Sequence, residues 1–216
     1  MNSAIILARV TEPPQAKTAG DKQLATFAVE VTPYREEDPP FLLQVAAFGK
    51  VAEAVAAAAI QLDTYLDLVG RLRIEKGRPV ELQISEFHKV TPELVPGVNI
   101  VHLVGRAGRD PEVRFFDSGS TVANLSLAVN RIRRDDGPDW FNLAIWDKQA
   151  QVAADYVRKG SLLGITGSLQ METWTDRASG EERSKAVIRV TRLDLLGSRR
   201  DAESYGGLQS DEEVPF

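Results

Sequence analysis

Three tryptophans are the side chains best placed to do chemistry in this sequence, and the chemistry is stacking. Trp140, Trp146 and Trp174 all fall in the C-terminal half. Trp140 and Trp146 are six residues apart, an even spacing that puts both side chains on one face of a regular strand. Phe141, Leu143 and Ile145 take the other face and read as core; a core place is the alternative for Trp146. Trp174 lies in "METWTDRASGEERSKA", a polar, glycine-containing hairpin with little core to enter. Arg106, Arg114, Arg131, Arg133, Arg134, Lys148, Arg158 and Lys159 supply cations around them. Exposed aromatics among Arg and Lys suit base stacking, which contributes about 1–3 kcal/mol per base and tolerates any base because each has a π-face. Phosphate contacts by the cations would add a salt-dependent term. Some of these cations are expected to be ordinary solubilising charge.

The elements that must carry these residues occur twice. "NSAIILARV" parallels "NIVHLVGRA", "LATFAVEV" parallels "VANLSLAV", "FLLQVAAFGK" parallels "WFNLAIWDK", and "LDLVGRL" parallels "LGITGSL", always 97 or 98 residues apart. Four matches in order mean a tandem duplication; a solenoid needs shorter units and more of them. In each unit two Val/Ile/Leu-rich runs with partial alternation predict strands, and a third strand follows. Then "KVAEAVAAAAI" or "KQAQVAADYVRKG" predicts a helix from its alanines and its i, i+3, i+4 apolar spacing. Gly160 is the expected stop of the second helix. Two more strands close the unit. The order β-β-β-α-β-β predicts an all-β fold of tandem five-stranded OB barrels with one helix each. The expected division is residues 1–90 for the first barrel, 91–98 for a short, stiff Pro/Gly linker, 99–197 for the second barrel and 198–216 for a disordered acidic tail.

Charge follows this division. The net charge of −5 comes from the tail, since residues 201–216 hold five acids and no Lys or Arg. Residues 1–96 carry 10 basic and 13 acidic side chains, and residues 97–200 carry 16 and 13. The second copy is therefore the basic one and the better place for a phosphate-binding face. The first copy offers fewer stacking groups. Phe48 stands where Trp146 does and Lys50 where Lys148 does, but Leu42 replaces Trp140. Tyr34 falls opposite Ile132, and "EKGRP" replaces the tryptophan arm.

Other classes are poorly served. Cysteine is absent, so disulfides, thiolate metal sites and Cys nucleophiles are excluded. No nucleotide-binding or metalloprotease motif occurs, and "GRAG" (residues 105–108) reads as a bend in a strand. His88 and His102 read as satisfied, partly buried side chains. No enzyme activity, cofactor or metal is expected. "MNSAIILARV" lacks a signal peptide's basic start, and "VAAAAIQL" is too short to span a bilayer.

Two stretches carry a resemblance. "NIVHLVGRAGRDPEVRFFDSGSTVANLSLAV" and "WFNLAIWDKQAQVAADYVRKGSLLGITGSLQMETWTD" resemble the bacterial single-stranded DNA-binding protein family over about residues 99–195. The first copy resembles it faintly. The resemblance implies sequence-tolerant binding and protection of single-stranded DNA in replication, recombination and repair, in the cytoplasm with the nucleoid. It implies stacking by Trp140, Trp146 and Trp174 and a DNA path over Lys148, Arg158 and Lys159; a fourth family aromatic is replaced near Ile132. The last six residues, "DEEVPF" (Asp211, Glu212, Glu213, Val214, Pro215, Phe216), resemble that family's tip, which docks replication and repair proteins. A homodimer would supply the four OB domains usual there. Two other readings fit: an adaptor dominated by protein contacts, and RNA binding by the same surface.

Overall fold

The computed structural model describes residues 1–19, 22–33, 38–75, 78–91, 97–131, 137–175 and 180–197. Residues 92–96 of the expected linker (91–98) and the expected tail (198–216), with Tyr34, Ile132, Arg133, Arg134 and the DEEVPF tip, lie outside them.

Alternating apolar residues build two closed five-stranded barrels of the OB type. The first holds β1 (Asn2–Ala19), β2 (Lys22–Val31), β3 (Phe41–Phe48), α1 (Lys50–Ala57), β4 (Tyr65–Arg73) and β5 (Glu81–Val90). Its pairing order is β2-β3-β5-β4-β1, and β1 closes back on β2. The second holds β6 (Asn99–Ala107), β7 (Glu112–Phe115), β8 (Thr121–Val129), β9 (Asp139–Trp146), α2 (Asp147–Tyr156), β10 (Leu162–Thr175) and β11 (Glu182–Leu195). Its order is β6-β10-β11-β9-β8, closed by β6 against β8, with β7 outside β8. Among the described residues only β3–β5 and β9–β11 run parallel, as the helix crossover between them demands. Ile6, Leu43, Leu66, Leu68, Leu72 and Leu82 fill the first barrel; Leu103, Leu125, Leu127, Phe141, Leu143 and Ile145 fill the second.

Two local expectations change. β7 was not expected: "EVRF" is only four residues long, and β7 doubles back on β8 where the first copy runs one long β1. Nor does α2 stop at Gly160. It ends at Tyr156, followed by extended Val157 (ψ 133°), and Gly160 (φ 89°) sits in the turn into β10. There its N–H donates to Ala107 O at 2.7 Å. His102 is half-buried, with Nδ1 3.1 Å from Thr166 Oγ1. His88 is exposed, not partly buried as expected, and meets Glu86 at 2.8 Å.

The barrels are fused through their first strands. β1 pairs antiparallel with β6, Asn2 opposite Leu103 and Ile6 opposite Asn99, which makes one eleven-stranded sheet. At each end of this seam an asparagine side chain replaces the backbone of a strand that has turned away. Asn99 Nδ2 donates to Leu169 O (2.8 Å) and its Oδ1 accepts from Leu169 N (2.9 Å). Asn2 does the same for Leu72 at 2.7 and 3.1 Å. A primary amide carries the donor and acceptor of a peptide group, so it continues the ladder where the main chain cannot. Asn99→Ala leaves two buried backbone groups of Leu169 unpaired. It is expected to lower stability by about 2–3 kcal/mol, read as a shift of the urea midpoint at constant slope.

Candidate nucleic-acid interface

The period-two alternation that buries Phe141, Leu143 and Ile145 turns Trp140, Asn142, Ala144 and Trp146 outward on β9. Register extends this row across the barrel. On β8, Ala128, Ser126, Asn124 and Val122 lie opposite them in turn. On β7, Glu112 and Arg114 oppose Asn124 and Val122. On the other side Val187 and Arg189 of β11 oppose Asn142 and Ala144. Lys185 and Arg183 continue that face opposite Glu172 and Trp174 of β10. The outcome is one platform with tryptophans at both ends of β9 and a third on the β10–β11 arm. Its centre is an open groove of about 300 Å³, with Ala144, Asn142, Asn124 and Val187 among its lining residues.

The rings differ in what holds them. Trp146 is half-buried, stacked on Phe116 (centroids 5.9 Å, planes 15° apart), with the Arg189 guanidinium 5.2 Å from its centroid. Trp140 is 48% exposed and lies over Gly108. A Cβ on Gly108 would collide with that ring and stand 2.8 Å from Ser126 Oγ, so the glycine gives the indole its seat. Trp174 is 44% exposed, with Lys185 Nζ 6.0 Å from its centroid. Arg and Lys near an indole keep a cation at a stacking surface.

The expected cations separate into groups. Arg114 lines the groove, held to Glu112 at 2.7 Å. The pair, chiefly through its hydrogen bond, lowers the Glu112 pKa and raises that of Arg114. Arg106 opposes Ala128 and donates to Gly160 O at 2.9 Å. Lys148 is exposed in the first turn of α2, away from the groove lining. Arg158 turns its guanidinium onto the carbonyls of Ala154, Asp155 and Val157 at the end of α2. Lys159 is exposed beside it, its N–H on Asp110. Arg131 points inward to Asp139 at 2.9 Å. Asp139 is 4% exposed and also accepts from Ile74 N of the first barrel at 3.4 Å. In the first barrel Phe48 and Leu42 are exposed, Lys50 lies in the first turn of α1, and Leu42 opposes Glu30.

Sequence reasoning passed over Phe116, Arg109, Lys185 and Arg189. "RSKAVIR" shows the last two by alternation: Arg183, Lys185, Val187 and Arg189 share a face. Among the described residues no group of His, Asp and Glu is placed to hold a metal ion, and no helix is long and apolar enough to cross a membrane. Arg131→Ala would strand Asp139 in the barrel wall. It is expected to cost about 3 kcal/mol, whereas Lys148→Ala should stay within about 0.5 kcal/mol, both read by thermal unfolding.

The chain is similar to known proteins in sequence and in fold. The model of the "Single-strand binding protein family" matches residues 98–196. A single-stranded DNA-binding protein of Thermosynechococcus vestitus is 63% identical over 107 residues, half of this chain and 89% of that one. Single-stranded DNA-binding protein 1 of Synechocystis sp. is 62% identical over 48% of this chain and 88% of its own. The solved single-stranded DNA-binding protein of Thermus aquaticus aligns over 92% of this chain and 94% of its own, with a TM-score of 0.72 at 20% identity. That last likeness is one of fold, and it spans both barrels.

Proposed function

The chain belongs to the single-strand binding protein family, and from that premise we propose that it binds single-stranded DNA through the platform of the second barrel, without selecting sequence. The observation that carries this reading is the single face shared by Trp140, Trp146 and Trp174 with Arg114, Lys185 and Arg189. Stacking on indoles costs a strand no hydrogen-bond pattern, and the groove centre is small (Ala144) or carries the adaptable amides Asn124 and Asn142. Lys148, Arg158, Lys159 and Arg106 would guide the backbone around the α2 side, and Phe48, Lys50 and Tyr34 would give the first barrel a lesser share. Binding of this kind protects single strands in replication, recombination and repair, and it needs no catalysis or cofactor.

The proposal extends to assembly. Two chains would bring four barrels together. Ile5, Ile100 and Val104 lie on the outer face of the β1–β6 seam and offer apolar surface for that contact. Residues 211–216 would dock replication and repair proteins, with Phe216 in an apolar pocket and the three acids on its basic rim. The chain would act in a bacterial cytoplasm, with the nucleoid.

Tryptophan fluorescence during titration with oligo-dT tests the reading. Quenching is expected, weakening steeply with salt. Trp140→Ala or Trp174→Ala is expected to cost about 1–3 kcal/mol of affinity. Oligo-U bound as tightly as oligo-dT would favour RNA; absence of binding by either would favour the adaptor. Deleting residues 211–216 is expected to leave oligo-dT affinity within about threefold while abolishing capture of a partner bearing a basic-rimmed apolar pocket; retained capture would remove the tip from the account.

A further inference from the structure

Pairing registers place the two barrels in residue-by-residue correspondence, and at one corner their chemistry is opposite. Arg9 on β1 opposes Glu30 on β2, as Arg106 on β6 opposes Ala128 on β8. Glu30 in turn opposes Leu42, as Ala128 opposes Trp140. The turn before β4 brings Asp63 N to Val10 O at 2.9 Å, and the turn before β10 brings Gly160 N to Ala107 O at 2.7 Å. Asp63 (φ 63°) thus stands for Gly160 (φ 89°). In the second barrel Arg106 reaches a backbone carbonyl there. In the first, Arg9 reaches two carboxylates: Glu30 at 2.8 Å and Asp63. Over these three equivalent positions the second barrel carries one positive charge and the first one negative.

The carboxylates hold Arg9 firmly. Glu30 first, and then Asp63, raise its pKa above the usual guanidinium range. Ion pairs also lie on the second platform, Glu112–Arg114 and Glu172–Lys185, but each is one-to-one and exposed. A phosphate can replace such a carboxylate at small cost. Replacing one of the two on Arg9 still leaves the other facing the phosphate. Next to this corner Leu42 takes the place of Trp140, Gln83 that of Arg189 and Glu81 that of Val187. Cation, carboxylates and stacking group therefore change together.

We infer that Glu30 and Asp63 close this corner of the first barrel to a polyanionic strand and so decide which of the two barrels takes phosphate. The inference rests on the strand-binding reading above. Glu30 acts by occupying Arg9 and by repelling phosphate from the edge that in the second barrel leads to Trp140.

The test compares the full chain with Glu30→Gln and with Glu30→Gln/Asp63→Asn. Gln keeps the shape of Glu, and Asn accepts a positive φ, so both variants suit the fold. Affinity for oligo-dT is measured against salt with a strand of about 15 nucleotides, near the upper reach of one OB barrel, and with one about three times longer. For the long strand the double variant is expected to bind several-fold more tightly, with log Kobs against log salt steeper by about 0.7 for each added phosphate contact. It should also occlude more nucleotides per chain. The short strand should change little, because the second barrel takes it in either form. Ala128→Glu, the reciprocal change, should weaken binding of both strands and flatten the slope. Salt slopes and occluded lengths equal to wild type in both neutralising variants would overturn the inference while leaving the function standing. Failure of the wild-type chain to bind either strand would instead remove the function itself, and the inference with it.

Discussion

Antiparallel pairing of β1 with β6 is the constraint on which the rest of the molecule depends. A barrel that closes on itself has no open edge, yet here each first strand still pairs outside its own barrel. It can do so because closure uses only part of its length: β6 meets β8 through Arg106 and Ala107 alone, which leaves residues 99–103 for β1. The two asparagine amides make this arrangement affordable, since they satisfy Leu72 and Leu169 where each ladder would otherwise end in unpaired groups. Further ties follow from the same geometry. Leu7 N reaches Val98 O, Val104 N reaches Met1 O, and Gln170 reaches Asp38 across the seam. The barrels meet mainly through the β1–β6 backbone ladder, whose hydrogen bonds do not depend on which side chains face outward.

Much of this was legible in the sequence. Period-two alternation gave β9 its two faces, and the repeat offset implied two equivalent barrels. What stayed hidden was long-range. Nothing local in "NSAIILARV" says that its partner is "NIVHLVGRA"; the one hint is an asparagine at the head of each. Arg131 reads as a surface cation until Asp139 and Ile74 N are known to meet behind it. Gly160 was misplaced because a glycine after a helical run suits a helix stop and a strand-entry turn equally well. Lys185 and Arg189 alternate plainly, but only pairing with β9 shows that their face is the one bearing the tryptophans.

Ion pairing on the second platform bears on how such a surface behaves without a strand. Arg114 and Lys185 are each held by a neighbouring carboxylate, Glu112 and Glu172. Long side chains lose rotamer freedom when fixed, by up to about 2 kcal/mol each, and the pairs settle part of that loss before any ligand arrives. The hydrogen bond from Arg114, first, and then its charge lower the Glu112 pKa, so the pair persists to a lower pH than it would with the pKa of an unpaired glutamate. A phosphate that displaces Glu112 meets a guanidinium already over the groove, and the released carboxylate returns to water at the exposed rim. On the proposed reading the net electrostatic gain per contact is then modest and salt-sensitive. The salt-insensitive remainder falls to the indoles, whose seats are fixed by packing: Gly108 under Trp140, Phe116 beside Trp146. A surface that divides its binding in this way holds position through its aromatics while its charges exchange, which is what tolerance of any base sequence requires.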